Sequence, residues 1–510
     1  MASAGSKERS RDGIAELARR RGFLWQAFEI YGGASGFYDY GPLGALLKRR
    51  VEEAWRKFYL REGFYEIETT NVAPREIFEA SGHLESFTDR AVVCKHCKSF
   101  FRVSEGVDVR GKCPECGGEL EAAGEINLMF QTRIGLSKEE RDEEAQEKSE
   151  GYLRPETAQG IFINFQRLLR FNRDKLPFGV IQIGKAYRNE ISPRKSLIRL
   201  REFTMAEAEV FVDPGEKNNH PRFDEVKDRM LWFVPSEGEG GEKSLEEAVR
   251  SGIISNEYLG YHIEKVEEFL ERIGIPRDKL RFRQHRPEEM AHYARDCWDA
   301  EFLSDRYGWM EIVGVADRGD YDLSAHASHS NTDMSVHVQL QTQGEAEKAR
   351  IIPHVIEPSY GMDRIIYALL ESSFYEEQVG KEKRKVLRFK NEIAPIRAAV
   401  FPLLNRDELK SKAKEVFRKL RNEAIFVEYD DSGSIGRRYR RQDEIGTPYC
   451  ITIDYETLED DTVTVRERDT MKQVRVPVAE VKDVLFYSIS NANYSILSTQ
   501  STNCFSNIGI

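Results

Sequence analysis

Apolar residues return at helical spacing between Pro42 and Gly63, with Leu43, Leu47, Val51, Trp55 and Phe58 on one stripe. Proline is tolerated in the first turn and Gly63 closes the run, so a long amphipathic helix is predicted. A strand over FYEIETTNV should follow and stop at Pro74, and residues 1–20 predict a polar helical lead-in. A second helix is predicted to open at Arg154-Pro155, with Phe162, Phe165 and Leu169 inward. That places Glu156 in a first turn, where the helix dipole favours an ionised carboxylate. From Phe178 to Val212 the period changes to two, predicting two strands joined by a short turn around Ser192-Pro193-Arg194. Gly184, Ala186, Arg188 and Glu190 then share one face of the first strand, with Ile181, Ile183 and Tyr187 opposite. On the second, Arg199, Arg201, Phe203 and Glu207 oppose Leu200, Val210 and Val212.

Two later segments repeat this style. In WMEIVGVADRGDYDL, alternation puts Glu311, Val313 and Val315 on one face and Ile312, Gly314 and Ala316 on the other. In IIPHVIEPSYGMDRIIYALLES a strand ends at Glu357, breaks at Pro358-Ser359, and passes into a helix with Arg364 early and Ile365, Ile366, Leu369 and Leu370 inward. From about Ala394, β and α alternate (IRAAVFPLL, DELKSKAKEVFRKLRNEA, FVEYDD), as in a separate α/β domain.

The hairpin face carries more than packing requires. Small residues leave room for a ligand, arginines suit phosphate, and an aromatic face can stack on a base. An exposed, charged hairpin would account for the charges alone, though not for their order. The formal net charge of −11 argues against coating nucleic acid by bulk charge but not against a local basic patch. No apolar run approaches the ~18 residues of a membrane helix, and the amino-terminal stretch resembles neither a signal nor a transit peptide, so a cytoplasmic protein with no membrane partner is expected. Cys94-Lys-His-Cys97 and Cys113-Pro-Glu-Cys116 have the paired-knuckle spacing of a zinc ribbon, four thiolates that leave no open position and so predict a structural metal. Cys297, Cys450 and Cys504 are isolated. Three histidines, His326, His329 and His337, lack the carboxylate or cysteine spacing of a metal site and predict a polar loop.

The order RNEISPR…LIRLREFTMAE resembles motif 2 of the class II aminoacyl-tRNA synthetases, and its wording resembles the archaeal and eukaryotic glycyl-tRNA synthetases. The helix from Pro42 and its following strand resemble motif 1, EPSYGMDR resembles motif 3, and RPETAQG and GVADRGDYDL add to the series, so the resemblance covers roughly residues 10–480. It implies an α+β fold: a catalytic domain with an antiparallel sheet flanked by helices, a zinc-ribbon insertion and a carboxy-terminal α/β anticodon-binding domain. The expected boundaries are 1–87 (motif 1), 88–125 (ribbon), 126–212 (core with motif 2), 213–305 (insertion), 306–390 (core with motif 3), 391–485 (anticodon binding) and an unassigned polar tail, 486–510. From Val484 onward there is no charged residue, a departure from the charged, helical ends the resemblance leads one to expect.

The implied activity is that of a glycine–tRNA ligase, joining glycine to ATP and then to tRNA(Gly), with Mg²⁺ on the ATP, Zn²⁺ in the ribbon and a homodimer built on motif 1. The resemblance makes Arg188, Glu311 and Arg364 catalytic. Arg188, Asn189, Glu190, Arg199, Leu200, Phe203, Glu311, Ile312 and Arg364 would bind ATP, with Glu311 holding Mg²⁺. Glu156, Glu207, Glu357, Pro358 and Ser359 would bind glycine, with Arg318 toward its carboxylate. Arg437, Arg438, Arg440 and Arg441 around Tyr439 form the densest positive cluster and would contact tRNA by stacking and charge. The alternatives are another class II synthetase, for threonine, histidine or proline, or a synthetase-like subunit that binds nucleic acid without catalysis. A zinc-ribbon nucleic-acid-binding protein would explain only about thirty residues.

Overall fold

The structure, a computed structural model, describes residues 13–103, 111–135, 149–191, 193, 196–341, 346–380, 382–423, 425–487 and 496–497. The tip of the predicted turn (Ser192 and Arg194), residues 137–148 of the charged stretch SKEERDEEAQEKSE (137–150), expected as a solvated run, Cys504 and most of the polar tail lie outside the described residues. The chain divides into two compact units, one of residues 26–38 and 55–368, the other of residues 1–25, 39–54 and 369–510.

The first unit is organised on a nine-stranded sheet. In chain order its strands are β1 (Tyr65–Glu66), β2 (Phe178–Tyr187), β3 (Glu202–Val212), β4 (Met230–Val234), β5 (Gly241–Ser244), β6 (Leu280–Gln284), β7 (Asp296–Ser304), β8 (Gly308–Gly319) and β9 (His354–Gly361). Their spatial order is β5-β4-β6-β7-β8-β9-β3-β2-β1. Every neighbouring pair is antiparallel except β1–β2 and β4–β6. Segment 213–305, expected as an insertion, supplies β4 to β7 and is continuous with this sheet. Helices α1 (Ala158–Phe162), α2 (Glu257–Ile273) and α3 (Tyr321–Ser330) belong to the same stretch of chain, and α4 (Met362–Ser373) begins in it.

Several local expectations are met. The helix runs Pro42–Arg61 and Gly63 has a positive φ of 87°. Phe162, Phe165 and Leu169 are buried in one cluster with Phe178 and Phe211. Others shift. The single strand expected over 64–72 is two short pieces, Tyr65–Glu66 and Val72–Pro74. The helix expected from Arg154-Pro155 begins only at Ala158, because Arg154 and Glu156 are held by side-chain bonds. The hairpin strands end at Tyr187 and begin again at Glu202, so the connection is a loop from 188 to 201 rather than a short turn.

Residues 88–127 form a three-stranded sheet of Thr88–Cys94, Phe100–Arg102 and Leu120–Asn127. In the second unit a sheet runs in the order Val427–Tyr429, Ala398–Pro402, Tyr449–Ile453, Thr462–Glu467, Gln473–Pro477, Ile496–Leu497, its first three strands parallel and the rest antiparallel. Helix Asp407–Asn422 seals its core through Leu409, Ala413, Val416 and Leu420. This is the α/β domain that the alternating pattern predicts.

Candidate active site

Register determines which side chains meet. Gln182 pairs with Glu207, Glu207 with Ser359 and Ser359 with Gly314, so all four stand in one row on one face. The adjacent rows bring Gly184, Met205 and Gly361 together, and Glu357 with Ala316. A cavity of about 290 Å³ opens over this face, lined among others by Glu156, Arg188, Glu190, Phe203, Glu207, Asp299, Glu311, Glu357, Ser359 and Arg364. A Cβ built on Gly314 would meet nothing within 4 Å, so packing does not require that glycine and the space above it belongs to the cleft. Gly184 is different, since a Cβ there would lie 2.0 Å from Arg154 Nη2. Arg154 crosses at that point to donate to the Lys185 carbonyl (2.8 Å), which anchors the segment carrying Glu156.

One expectation about this face needs correction. Simple alternation separates Glu311 from Gly314 and Ala316, yet all three line the cavity. The pairing of β7 with β8 slips between Ala300 and Glu301, so Ala300 faces Val313 while Glu301 faces Glu311. The extra residue, Ile312, is buried and lines no part of the cavity. A β-bulge re-aims the side chains beyond it, and here it turns Glu311 toward the cleft. Asn189 is exposed, Pro358 is buried, and neither lines the cavity.

One end of the cleft is built of arginines on provisional partners. Arg188 donates from Nε to the Pro155 carbonyl (3.2 Å) and lies 5.3 Å from the Phe203 ring centre. Arg199 is 3.7 Å from Glu190. Arg364 donates to the Ile198 and Glu311 carbonyls, both at 3.0 Å, and pairs with the Glu311 carboxylate at 2.9 Å. That guanidinium holds the Glu311 carboxyl below its ordinary value. Asp299 lies on the same face, held by His285 and Arg283, its carboxyl raised by burial and then by Glu311.

The other end is acidic and closed. Glu207 accepts from the Thr157 N–H (2.6 Å), from the Thr157 hydroxyl and from Ser359 Oγ (2.9 Å). Glu156 accepts from Gln159 Nε2 (2.9 Å), which also donates to Asp322 (2.9 Å), while the buried His326 donates to Gln159 Oε1 (2.7 Å). The fully buried Arg318 donates to Asp322 at 2.7 and 2.9 Å and to Glu357 at 2.9 Å, and lies 3.5 Å from Glu156. Its guanidinium stacks 3.6 Å from the Tyr293 ring centre. Burial works to raise Glu156, but Arg318 and then His83 outweigh it and hold that carboxyl below its ordinary range. Burial and Glu156 raise Glu207, and burial lifts Glu357 to about 8 against the pull of Arg318. Arg318, expected to meet a substrate carboxylate, lies behind the acids and outside the cavity lining. It neutralises protein carboxylates instead.

The four ribbon cysteines converge, with Sγ distances of 3.5 Å between Cys94 and Cys116 and 3.6 Å between Cys97 and Cys113. Four thiolates at Zn–S lengths of about 2.3 Å define a tetrahedron with edges of about 3.8 Å, so this set fits zinc closely.

A family profile described as "tRNA synthetase class II core domain (G, H, P, S and T)" matches residues 140–234, and one described as "Anticodon binding domain" matches residues 397–486. Among curated proteins, the chain is 47% identical to the glycine–tRNA ligase of Methanothrix thermoacetophila over 94% of this chain and 97% of that protein. It is 46% identical to the glycine–tRNA ligase of Methanocaldococcus jannaschii over 92% of this chain and 98% of that protein. The corresponding enzyme of Thermococcus sibiricus is 44% identical, over 93% and 98%.

The chain belongs to the glycine–tRNA ligase family.

For a glycine–tRNA ligase, the expected RNA-facing arginines are distributed unexpectedly. They lie on a helix, Ile435–Ile445. Arg438 is 2% exposed and donates inward to the carbonyls of Pro402, Asp431 and Gly433. The Tyr439 ring is partly buried, packing against Phe401 with its hydroxyl bonded to Thr452. Arg441 is paired with Asp430, and Arg437 is exposed.

Sequence reasoning also missed the cleft's supporting groups: Thr157, Gln159, Asp322, Tyr293, His285 and Asp299. One signal was available, because Arg318 and Asp322 stand only four residues apart in ADRGDYDL, on either side of the junction of β8 and α3. Among the described residues, no helix is long and apolar enough to cross a membrane.

Proposed function

We propose that this chain activates glycine with ATP and transfers it to the 3′ end of tRNA(Gly). A glycine carboxylate oxygen attacks the α-phosphorus, the bond to the bridging oxygen breaks, and pyrophosphate leaves. The adenylate then gives its glycyl group to a terminal ribose hydroxyl as AMP departs. The observation that carries this reading is the polarity of one cavity, with arginines and an aromatic ring at one end and three buried glutamates at the other.

In this reading Arg188 meets the α-phosphate, where charge accumulates as the pentavalent phosphorus forms, and preorganised cations there lower the barrier. Arg364 takes the γ-phosphate and Arg199 supports the polyphosphate. Phe203 stacks on adenine beneath Arg188, with Glu190 facing the adenine amino group. Asn189, Leu200 and Ile312 contribute through their backbone neighbourhood. Glu311 is the residue to hold Mg²⁺, a hard cation that wants oxygen ligands, and that ion supplies charge neutralisation on the phosphates. Glu156, Glu207, Glu357 and Ser359 enclose the ammonium, with Pro358 fixing the strand between the last two. Arg318 sets the acids rather than binding the substrate carboxylate.

Zinc in the cysteine cluster, self-association through the helix starting at Pro42, a cytoplasmic location and tRNA contact through Arg437, Arg440 and Arg441 complete the proposal. Zinc content per chain and sedimentation mass, expected at twice that of one chain, check the first two. The central test is glycine-dependent ATP–pyrophosphate exchange by the full chain. Exchange should appear with glycine, fall sharply in Arg188→Ala, and show a raised glycine KM in Glu156→Gln. Exchange supported by threonine, histidine or proline instead would overturn it.

A further inference from the structure

Behind the three glutamates that line the acid end stands a fourth. Glu209 follows Glu207 by two residues on β3, so it shares that face, and the β3–β9 register sets it across from Glu357. One carboxylate oxygen from each of Glu207, Glu209 and Glu357 lies within 4.8 Å of the others. Glu209 is fully buried, lines no part of the cavity, and among the described residues neither of its oxygens has a hydrogen-bond partner.

The surroundings are short of donors. From β2, Gln182 points its Nε2 at the Thr157 carbonyl and leaves Oε1 without a partner among the described residues. From β3 and β9 come the carboxylates of Glu207 and Glu357, from the segment before α1 comes Glu156, and from α3 comes Asp322. Among the described residues, the cation facing the group, Arg318 of β8, donates to Asp322, Glu357 and Glu156 and not to Glu209. His326 on α3 is turned to Gln159. An ionised carboxylate without a donor is costly to bury, whereas a protonated one carries a donor of its own. Burial and then Glu357 drive the Glu209 carboxyl well above its ordinary value, in keeping with that requirement.

We propose that Glu209 is a positioning residue for glycine: it remains a neutral acid whose one O–H donates to an oxygen of the Glu207/Glu357 pair and fixes that pair toward the ammonium. The proposal rests on assigning the acid end to glycine.

Glu209→Gln keeps a neutral donor, and Glu209→Met keeps the length without one. Glycine KM and ATP KM are to be measured separately in pyrophosphate exchange by the full chain. The Gln variant should stay within about twofold of the parent for glycine, and the Met variant should raise glycine KM about tenfold, with ATP KM unchanged in both, since losing one buried donor is worth roughly a tenfold factor. Equal damage in both variants, or an unaltered glycine KM in Met, overturns the proposal. Should Met fail to fold, infrared difference spectra of parent against Gln at pH 8 decide. A protonated-carboxyl stretch present only in the parent supports the neutral acid, and no difference overturns it. A parent that shows this band but no glycine-dependent exchange would sink the functional reading while leaving the neutral acid standing.

Discussion

Arg318 and Arg364 both meet carboxylates around one cleft, yet the first is fully buried while 30% of the second's side chain is exposed. Arg318 is surrounded by Asp322, Glu357, Glu156 and the Tyr293 ring, and no solvent reaches it. Arg364 rests on Glu311, whose own side chain is 47% exposed. A buried guanidinium among acids is part of the framework, because removing it leaves uncompensated charge in a medium that cannot solvate it. A half-exposed pair is a latch, since phosphate and a divalent cation can replace each partner's opposite number at small cost. On the proposed reading the acid end is therefore set before substrate arrives, and the arginine end is completed by it.

The largest test of this contrast is stability. Arg318→Met should cost about 3–5 kcal/mol, as expected when one partner of a buried charged network is removed. Arg364→Met should cost about 1 kcal/mol or less, as for a partly exposed pair. Urea unfolding of the full chain, followed by tryptophan fluorescence (Trp298 is buried on β7), measures both. Equal losses would erase the distinction between framework and latch.

Next comes catalysis, where the order reverses. Arg188→Ala should leave the fold nearly intact but lower the exchange kcat by about 10²–10³, roughly 2.7–4 kcal/mol, the usual effect of removing a preorganised charge-stabilising group. If Arg188→Ala instead raised only glycine KM, the arginine end would not be where charge develops.

The two ends also differed in how legible they were from sequence. Around the hairpin, period-two alternation puts Gly184, Ala186, Phe203 and Glu207 on one face, and the register agrees. Such faces are readable because strand geometry is local. The position of Glu311 was not readable, because the bulge that turns it depends on how β7 pairs with β8. Nor was the Arg318 network, whose partners Glu156, Gln159, Asp322 and Glu357 are brought together only by the sheet and by α1 and α3. Arg438 teaches the same lesson in the other unit. A run of arginines looks like a surface patch until one helical face turns inward and its guanidinium caps three carbonyls.

Substrate selection probes the rigid end. Glycine has no smaller rival, and an acid-walled site over Gly314 meets any side chain with overlap and with desolvation of carboxylates. One methylene in a pocket changes binding by about 1–3 kcal/mol. Alanine should therefore be activated at least about tenfold less well in kcat/KM, a margin of ~1.4 kcal/mol, without any editing activity. Alanine within that margin would mean that the acid end is more compliant than its hydrogen bonds imply.

The smallest expected effect is in pH, and it separates the two ends by sign. Burial lifts Glu357 to about 8, so near neutrality this carboxyl carries a proton in the folded chain that an ordinary glutamate has lost by about 4.5. Its contribution to folding is fully present below that ordinary value and drains away as pH rises through about 8. The glycine ammonium prefers the ionised form, so binding runs the other way: apparent glycine affinity should improve by about fivefold between pH 7 and 8 as the ionised fraction grows. At pH 7 each glycine bound should release close to one proton, visible calorimetrically as a heat that changes with the buffer's ionisation enthalpy. At the phosphate end Arg364 holds Glu311 low, so that carboxyl is already ionised and ATP binding should show no matching proton release from it. A glycine affinity that stays flat across this range, or a buffer-independent heat, would mean that the acid end meets its ammonium with Glu357 already ionised.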